Sequence, residues 1–146
     1  VPSSVWHLGS LCFSDCEMLE TIVLPATLDT FAFGSQWYSP FKGCDNIKNI
    51  VWPGITSIHG ENGYVGIASC RSITNIVVAA GSSNIVSRCF SNCQGALSII
   101  IPNGVTNIQS FAFYRCNLKN INVPQSVLYI GNLFVPQVHG HAPRCD

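Results

Sequence analysis

The stretch IPNGVTNIQSFAFYRCNLKNINVP, residues 101–124, starts and ends on an apolar residue followed by proline. Between the two prolines lie the apolar residues Val105, Ile108, Phe111, Phe113, Cys116, Leu118, Ile121 and Val123. Their spacing fits neither the period of a helix nor the strict alternation of a single strand. The spacing decides the fold because it recurs through the chain.

A unit of about 23 residues that begins at a proline repeats along the sequence. The interval from Pro2 to Pro25 is 23 residues. The interval from Pro102 to Pro124 is 22, and Ala79 holds the proline position of the fourth unit. An apolar residue follows at a distance of five or six residues, at Leu8, Phe31, Ile58, Ile85, Ile108 and Ile130.

The later positions of each unit follow in step. An aromatic position comes next, held by Phe13, Phe41, Phe90 and Phe113, with Ile67 as the exception. Three residues later every full unit has a cysteine, and these ladder cysteines are Cys16, Cys44, Cys70, Cys93 and Cys116. A strand-like segment then closes each unit, as in LETIVLP at residues 19–25. Five full units and a truncated sixth from Pro124 reach about residue 136.

A unit of this length is too small to bury its own apolar side chains, so the pattern predicts a solenoid of stacked coils. The closing strands pair side by side into a parallel sheet on one face, and equivalent apolar positions form interior ladders. We expect irregular or short helical turns around the F-x-x-C positions on the other side. The prediction is therefore one right-handed, β-rich repeat domain at residues 1–136, with a non-repeat tail at residues 137–146.

The pattern P-x-x-V-x-x-I-x-x-x-A-F-x-x-C-x-x-L-x-x-I-x-I resembles the signature of the BspA-like leucine-rich repeats. The resemblance extends from Val1 to about Val135, and residues 102–123 follow it most closely, with one deletion after Cys116. It implies a leucine-rich repeat solenoid, α/β horseshoe-like and β-rich, with about five and a half coils. Because the chain begins inside a repeat, we expect it to be part of a longer repeat array.

The same resemblance implies a function at the cell surface or outside the cell. Members of this family look like surface adhesins and antigens of bacteria and protists. The implied role is a non-enzymatic module for adhesion or protein interaction, whose partner is a host matrix or cell-surface protein or a glycan. The alternative is a structural spacer with no ligand of its own. The family has no catalytic motif to transfer and implies no cofactor.

Composition excludes two classes of partner. The chain has seven basic and seven acidic residues, so its formal net charge is +0 and no basic patch is available for nucleic acid. Its longest apolar runs are strand-sized, far short of the ~20 residues of a membrane span. No paired carboxylates or serine–histidine sets align on neighbouring coils, so we predict no enzymatic activity.

Eight cysteines raise the question of disulfides. The five ladder cysteines share one predicted interior column, while Cys12 and Cys89 share a second with Ala112. Because cysteine shares this second column with alanine, we expect the cysteines to act as small, buried apolar residues with free thiols. Disulfides between neighbouring coils are the alternative, since adjacent coils lie about 5 Å apart. The C-x-x-x-C spacing is not typical of zinc sites, and we predict no metal there.

The predicted sheet has an outer face that could bind a partner. Alternation along the strands points one column outward: Val23, Val51, Val77, Ile100 and Asn122. Two interpretations stay open, because β-branched residues favour strands in any case, whereas an exposed apolar stripe also suits a partner or a covering segment.

Two insertions and the tail supply further candidates. The second and third units carry extra residues, and the first insertion contains Trp37 and Tyr38. Exposed aromatic residues on a loop commonly anchor protein or sugar partners, but these two could equally pack locally against neighbouring phenylalanines. The tail residues His139, His141, Cys145 and Asp146 are metal ligands by type. Since they lie outside the repeats, we predict no metal site there.

Overall fold

The structure is a computed structural model that describes residues 1–28, 30–31, 40–53, 67 and 70–132. This part of the chain contains no helix, and ten short strands alternate with turns. The strands are β1 (His7–Leu8), β2 (Thr21–Val23), β3 (Thr30–Phe31), β4 (Asn49–Trp52), β5 (Asn75–Val78), β6 (Asn84–Ile85), β7 (Ser98–Ile100), β8 (Asn107–Ile108), β9 (Asn120–Ile121) and β10 (Tyr129–Ile130).

The closing segments of the five full units form one parallel sheet, which we call the main sheet. Its strand order is β2-β4-β5-β7-β9, so each coil contributes one strand next to that of its neighbour. The register pairs Ile22 with Ile50, Ile50 with Ile76, and Ile76 with Ile99. The predicted β-rich solenoid with a parallel sheet is therefore confirmed.

A second set of strands lies at the apolar position that follows each proline. Two parallel sheets form there, β1-β3 and β10-β8-β6, and each strand is only two residues long. The turns that the sequence predicts around the F-x-x-C positions are present, for example at residues 11–15 and 111–115. At the apolar position, backbone N–H and C=O groups of the described coils pair with the next coil, because stacked coils bring them within hydrogen-bonding distance.

The interior consists of ladders that run from coil to coil. The inward positions of the main sheet hold the buried residues Ile22, Ile50, Ile76, Ile99, Leu24, Trp52, Val78 and Ile101. The aromatic column continues the core, with Phe90 stacked on Phe113 at 5.5 Å between ring centroids. The ring of Trp52 meets Phe90 edge-on at 5.7 Å. Each coil thus completes the core of the next.

The turn that leads to each ladder cysteine uses left-handed backbone. The residue directly before the cysteine has a positive φ in four units: Asp15, Gly43, Asn92 and Arg115. A second left-handed residue stands five positions before the cysteine in three units: Leu11, Arg88 and Phe111. Only glycine adopts this conformation without steric cost, and other residues cost about 1 kcal/mol or more. Since the pattern recurs from unit to unit, it belongs to the geometry of the coil.

Candidate functional site

The outer face of the main sheet presents one apolar column, which we call the valine column. Strand register places Val23, Val51, Val77 and Ile100 side by side. Val23 and Ile100, at the two ends, are 53% and 62% exposed, while the two central valines are partly buried by their neighbours. The exposed Asn122 follows β9, so the column changes from apolar to polar at the fifth unit.

A polar column runs beside the valine column on the same face: Thr21, Asn49, Asn75, Ser98 and Asn120. Its side chains form a hydrogen-bonded row. The Asn75 Nδ2 donates to Asn49 Oδ1 at 2.9 Å, and the Ser98 hydroxyl donates to Asn75 Oδ1 at 2.8 Å. Asn49 Nδ2 continues the row to the Thr21 hydroxyl at 3.5 Å.

The two columns together suit binding. The valine column offers apolar area, and the polar column offers donors and acceptors that are already oriented by their neighbours. Neither column contains a side chain that titrates near neutral pH, so these two columns supply no general acid or base.

The ladder cysteines link successive coils through their thiols. The Sγ of Cys44 donates to the carbonyl of Phe13 at 2.9 Å, and that of Cys116 donates to the carbonyl of Phe90 at 2.9 Å. The Cys93 thiol reaches the carbonyl of Ile67 at 3.2 Å. In each case the accepting carbonyl belongs to the residue three positions before the ladder cysteine of the preceding coil, which is Phe13, Ile67 or Phe90. A ladder cysteine therefore fills core volume and also satisfies a backbone carbonyl that lies beside it.

Burial keeps these thiols protonated. Desolvation raises the pKa of Cys70 and Cys116 to about 12. The same cause raises the pKa of Cys89 and Cys93 well above the ordinary thiol value. Because the thiolate is the nucleophile and the metal ligand, these four cysteines are chemically inert near neutral pH. All seven cysteines in the described ranges are free.

Two cysteines depart from the predicted interior columns. Cys12 and Cys16 are exposed, although Cys89 and Cys93 occupy the same positions in the fourth unit and are buried. The physical reason is that a column position is covered only where a neighbouring coil packs over it, and among the described residues the first unit packs against the second alone.

This difference predicts the order in which the thiols react. We expect a maleimide to label Cys12 and Cys16 in the folded 146-residue chain at pH 7, while Cys89, Cys93 and Cys116 react only after denaturation. Peptide mass spectrometry of labelled native and unfolded protein measures each site separately. Native labelling of Cys93 as fast as that of Cys16 would contradict the buried ladder.

Some sequence-based candidates lie outside the described residues. These are Trp37 and Tyr38 of the first insertion, and the tail residues His139, His141, Cys145 and Asp146. In the part of the chain that the structure describes, no three residues among His, Cys, Asp and Glu come together as a metal site. Nor does that part hold a helix that is long and apolar enough to cross a bilayer.

Sequence reasoning missed one cluster, which we call the arginine cleft. The turns of the fourth and fifth units line a cleft of about 230 Å³ with Arg88, Ser91, Asn92, Phe111, Tyr114 and Arg115. These six residues occupy only three positions of the repeat, each represented in both units. Comparing adjacent units position by position would have revealed two arginines and two aromatic residues at neighbouring turns.

Comparison with known proteins agrees with the repeat geometry. A family model described as BspA type leucine-rich repeat region matches residues 1–62 and 63–135, in six copies. The chain belongs to this family. The interior ladders and the main sheet are thus those of BspA-type leucine-rich repeats.

Solved structures of bacterial proteins show the same fold. A leucine-rich repeat protein from Bacteroides ovatus is similar over 90% of this chain and 32% of its own, with 29% identity and a TM-score of 0.64. One from Eubacterium ventriosum has 22% identity and a TM-score of 0.66, over 91% of this chain and 34% of its own. The chain therefore spans about a third of the length of these two proteins.

A third similar structure is described as a leucine-rich cell surface protein from Faecalibacterium prausnitzii. It has 17% identity and a TM-score of 0.55, over 91% of this chain and 43% of its own. At this identity the likeness concerns the fold alone. No match was found among curated proteins.

Proposed function

We propose that this BspA-type repeat module is non-enzymatic, lies at the cell surface, and binds a protein partner through the outer face of the main sheet. The observation that carries the proposal is the valine column with the polar column beside it. The partner class is a host matrix or cell-surface protein. Membership of the BspA-type family supports the location. One protein of the same fold, from Faecalibacterium prausnitzii, is itself described as a cell surface protein.

The energetics of the valine column favour a partner. Val23 and Ile100 leave more than half of their surface in water, and burying a side chain of this size contributes roughly 1.5–3 kcal/mol. The hydrogen-bonded row Thr21–Asn49–Asn75–Ser98 loses little conformational freedom on binding, because its side chains are already held. The apolar valine column with the hydrogen-bonded polar column beside it resembles the apolar core and polar rim of a protein interface.

The described thiols support binding over catalysis. A catalytic cysteine needs a lowered pKa, whereas burial raises the pKa of Cys70, Cys89, Cys93 and Cys116. Their role in the coil is packing and hydrogen bonding to the preceding unit.

A double substitution tests the binding face. We expect Val51→Asp with Val77→Asp to weaken binding of the partner at least about tenfold, because two carboxylates would have to be desolvated in the interface. The partner is first selected by pull-down from host matrix and cell-surface extracts, and affinity is then measured by biolayer interferometry. Circular dichroism at the assay temperature shows whether the variant stays folded.

Two further variants keep the test decisive. Ile100→Asp changes a residue that is 62% exposed, so it preserves folding even if the double substitution does not. Met18→Asp adds the same charge at a residue that is 90% exposed and outside the main sheet, and it should leave affinity unchanged. If Ile100→Asp and the double variant both bind like the parent, the sheet face is not the site. If the pull-down yields no selective partner, the spacer interpretation replaces this proposal.

A further inference from the structure

The arginine cleft concentrates positive charge and aromatic surface at one place on the turns. Arg88 lies over the ring of Phe111, with 5.1 Å from its Cζ to the ring centroid. Arg115 lies over the ring of Tyr114 at the same distance. The two rings meet edge-to-face at 5.8 Å, so the four side chains form one continuous cluster. Its lining contains two guanidinium groups and no carboxylate.

Stacking on the Tyr114 ring prepares the guanidinium group of Arg115 for a ligand. A guanidinium placed over a ring is held by its face, while its five N–H donors point outward around its edge. This planar fork matches the two oxygens of a carboxylate. Arg115 is exposed and makes neither a hydrogen bond nor an ion pair with any described residue, so its donors are available.

A second, independent observation comes from Ser91, which also lines the cleft. Ser91 is 2% exposed, and its Oγ is buried without a hydrogen-bond partner. It is the one buried side-chain polar atom among the described residues that lacks a partner. A buried, unpaired hydroxyl costs about 1–3 kcal/mol. Because solvent does not reach the Oγ in the free protein, a ligand hydroxyl would remove that cost once the Ser91 side chain turns toward the cleft. The neighbouring Asn92 adds an amide that can donate and accept.

The size and chemistry of the lining select the ligand. The cleft is smaller than the ~300–1,000 Å³ of sites for drug-sized molecules, so it fits about one ring. Arginine suits a carboxylate, hydroxyl and amide groups suit sugar hydroxyls, and aromatic surface suits the C–H face of a pyranose. We propose that the arginine cleft binds one carboxylate-bearing pyranose unit of an acidic glycan.

The proposed contacts divide between the two units. Arg115 of the fifth unit pairs with the carboxylate, and Ser91 and Asn92 of the fourth unit bond the ring hydroxyls. All of these residues lie on the turns that flank the ladder cysteines, outside the strands of the main sheet. The site therefore neither uses nor requires the valine column, and the proposal does not rest on protein binding by the sheet.

The test titrates methyl glucuronide into the ¹⁵N-labelled protein and follows amide shifts by NMR. Methyl glucoside is the matched neutral sugar, and acetate is the matched anion without a ring. We expect methyl glucuronide to shift the amides of Ser91, Asn92 and Arg115 with a Kd on the order of 1 mM, as for a small ligand in an open cleft. Methyl glucoside and acetate should each bind at least about tenfold more weakly, because each lacks one half of the contacts.

Three substitutions test whether the affinity depends on the cleft residues or only on the net charge of the protein. Arg115→Gln should weaken the binding of methyl glucuronide about tenfold or more, because it removes a hydrogen-bonded charge pair. Ser91→Ala should weaken that binding about two- to tenfold, the value expected for losing one neutral hydrogen bond. Ser91→Ala should not lower the melting temperature, because the hydroxyl that it removes has no partner in the free protein. Lys119→Gln removes the same unit of charge from an exposed residue outside the cleft and should leave the affinity unchanged.

The outcomes that overturn the proposal are distinct. If acetate binds as tightly as methyl glucuronide, the cleft recognises an anion and not a sugar, and the proposal is wrong. An unchanged affinity in Arg115→Gln, or the absence of any shift with methyl glucuronide, would also reject it. None of these results bears on the sheet face, which the Ile100→Asp variant tests separately.

Discussion

Replacing Phe90 with alanine is expected to lower the free energy of unfolding by about 3–5 kcal/mol, the usual cost of removing a buried phenylalanine. Phe90 is fully buried, stacks on Phe113 and receives the edge of Trp52. The cavity would open at the middle of the aromatic column, where coils on both sides prevent collapse. Urea unfolding followed by circular dichroism measures the loss.

Phe13 provides a matched control at the same position of the first unit. It stacks on Phe41 with a centroid distance of 5.6 Å but is only partly buried. Phe13→Ala removes the same atoms, and we expect less than half of the loss seen for Phe90→Ala because less apolar surface returns to water. Equal losses would mean that the column does not depend on packing between coils.

Raising the pH above 9 is expected to destabilise the protein steeply. The folded pKa of Cys70 and Cys116 is about 12, and that of Cys89 and Cys93 is also raised by burial. In the unfolded chain these thiols ionise near pH 9, so between pH 9 and 12 the unfolded state has fewer bound protons. Stability is therefore complete below pH 9 and falls as the pH rises, by up to about 1.4 kcal/mol per pH unit for each thiol.

The variant Cys89→Ala isolates this effect. Ala112 occupies the equivalent position of the fifth unit and is fully buried, so alanine fits the coil there. Urea unfolding at pH 8, 9, 10 and 10.5, with a reductant present, gives the slope of stability against pH. Cys89→Ala should have a shallower slope than the parent by about one thiol's contribution. Identical slopes would show that the Cys89 thiol ionises equally well in the folded and unfolded states.

Periodicity alone was enough to predict the main sheet and its interior ladders. A position that recurs in every coil faces the same way in every coil. Where that position is apolar, as at Ile22, Ile50 and Ile76, its side chains face the interior. The same argument placed the outward residues of the valine column, because strand alternation links the two faces.

Other features depend on neighbours that a repeat pattern does not specify. The two-residue strands such as β6 and β8 form through backbone hydrogen bonds between coils. This pairing requires no particular side chain, so the sequence pattern does not predict it. Cys16 and Cys93 share a position but differ in burial, because among the described residues only Cys93 has a coil packed on each side. The arginine cleft arises from residues that differ between adjacent units, which a consensus pattern averages away.

Regular stacking of the coils gives the outer face of the main sheet a translational symmetry. A partner segment shifted by one coil, about 4.8 Å, would exchange Asn49 for Asn75 and Val51 for Val77 and meet nearly the same chemistry. If the face binds an extended segment, several almost equivalent registers would lie side by side, and the segment would move between them without leaving the surface. Asn122, where the apolar row becomes polar, would mark the last of these registers.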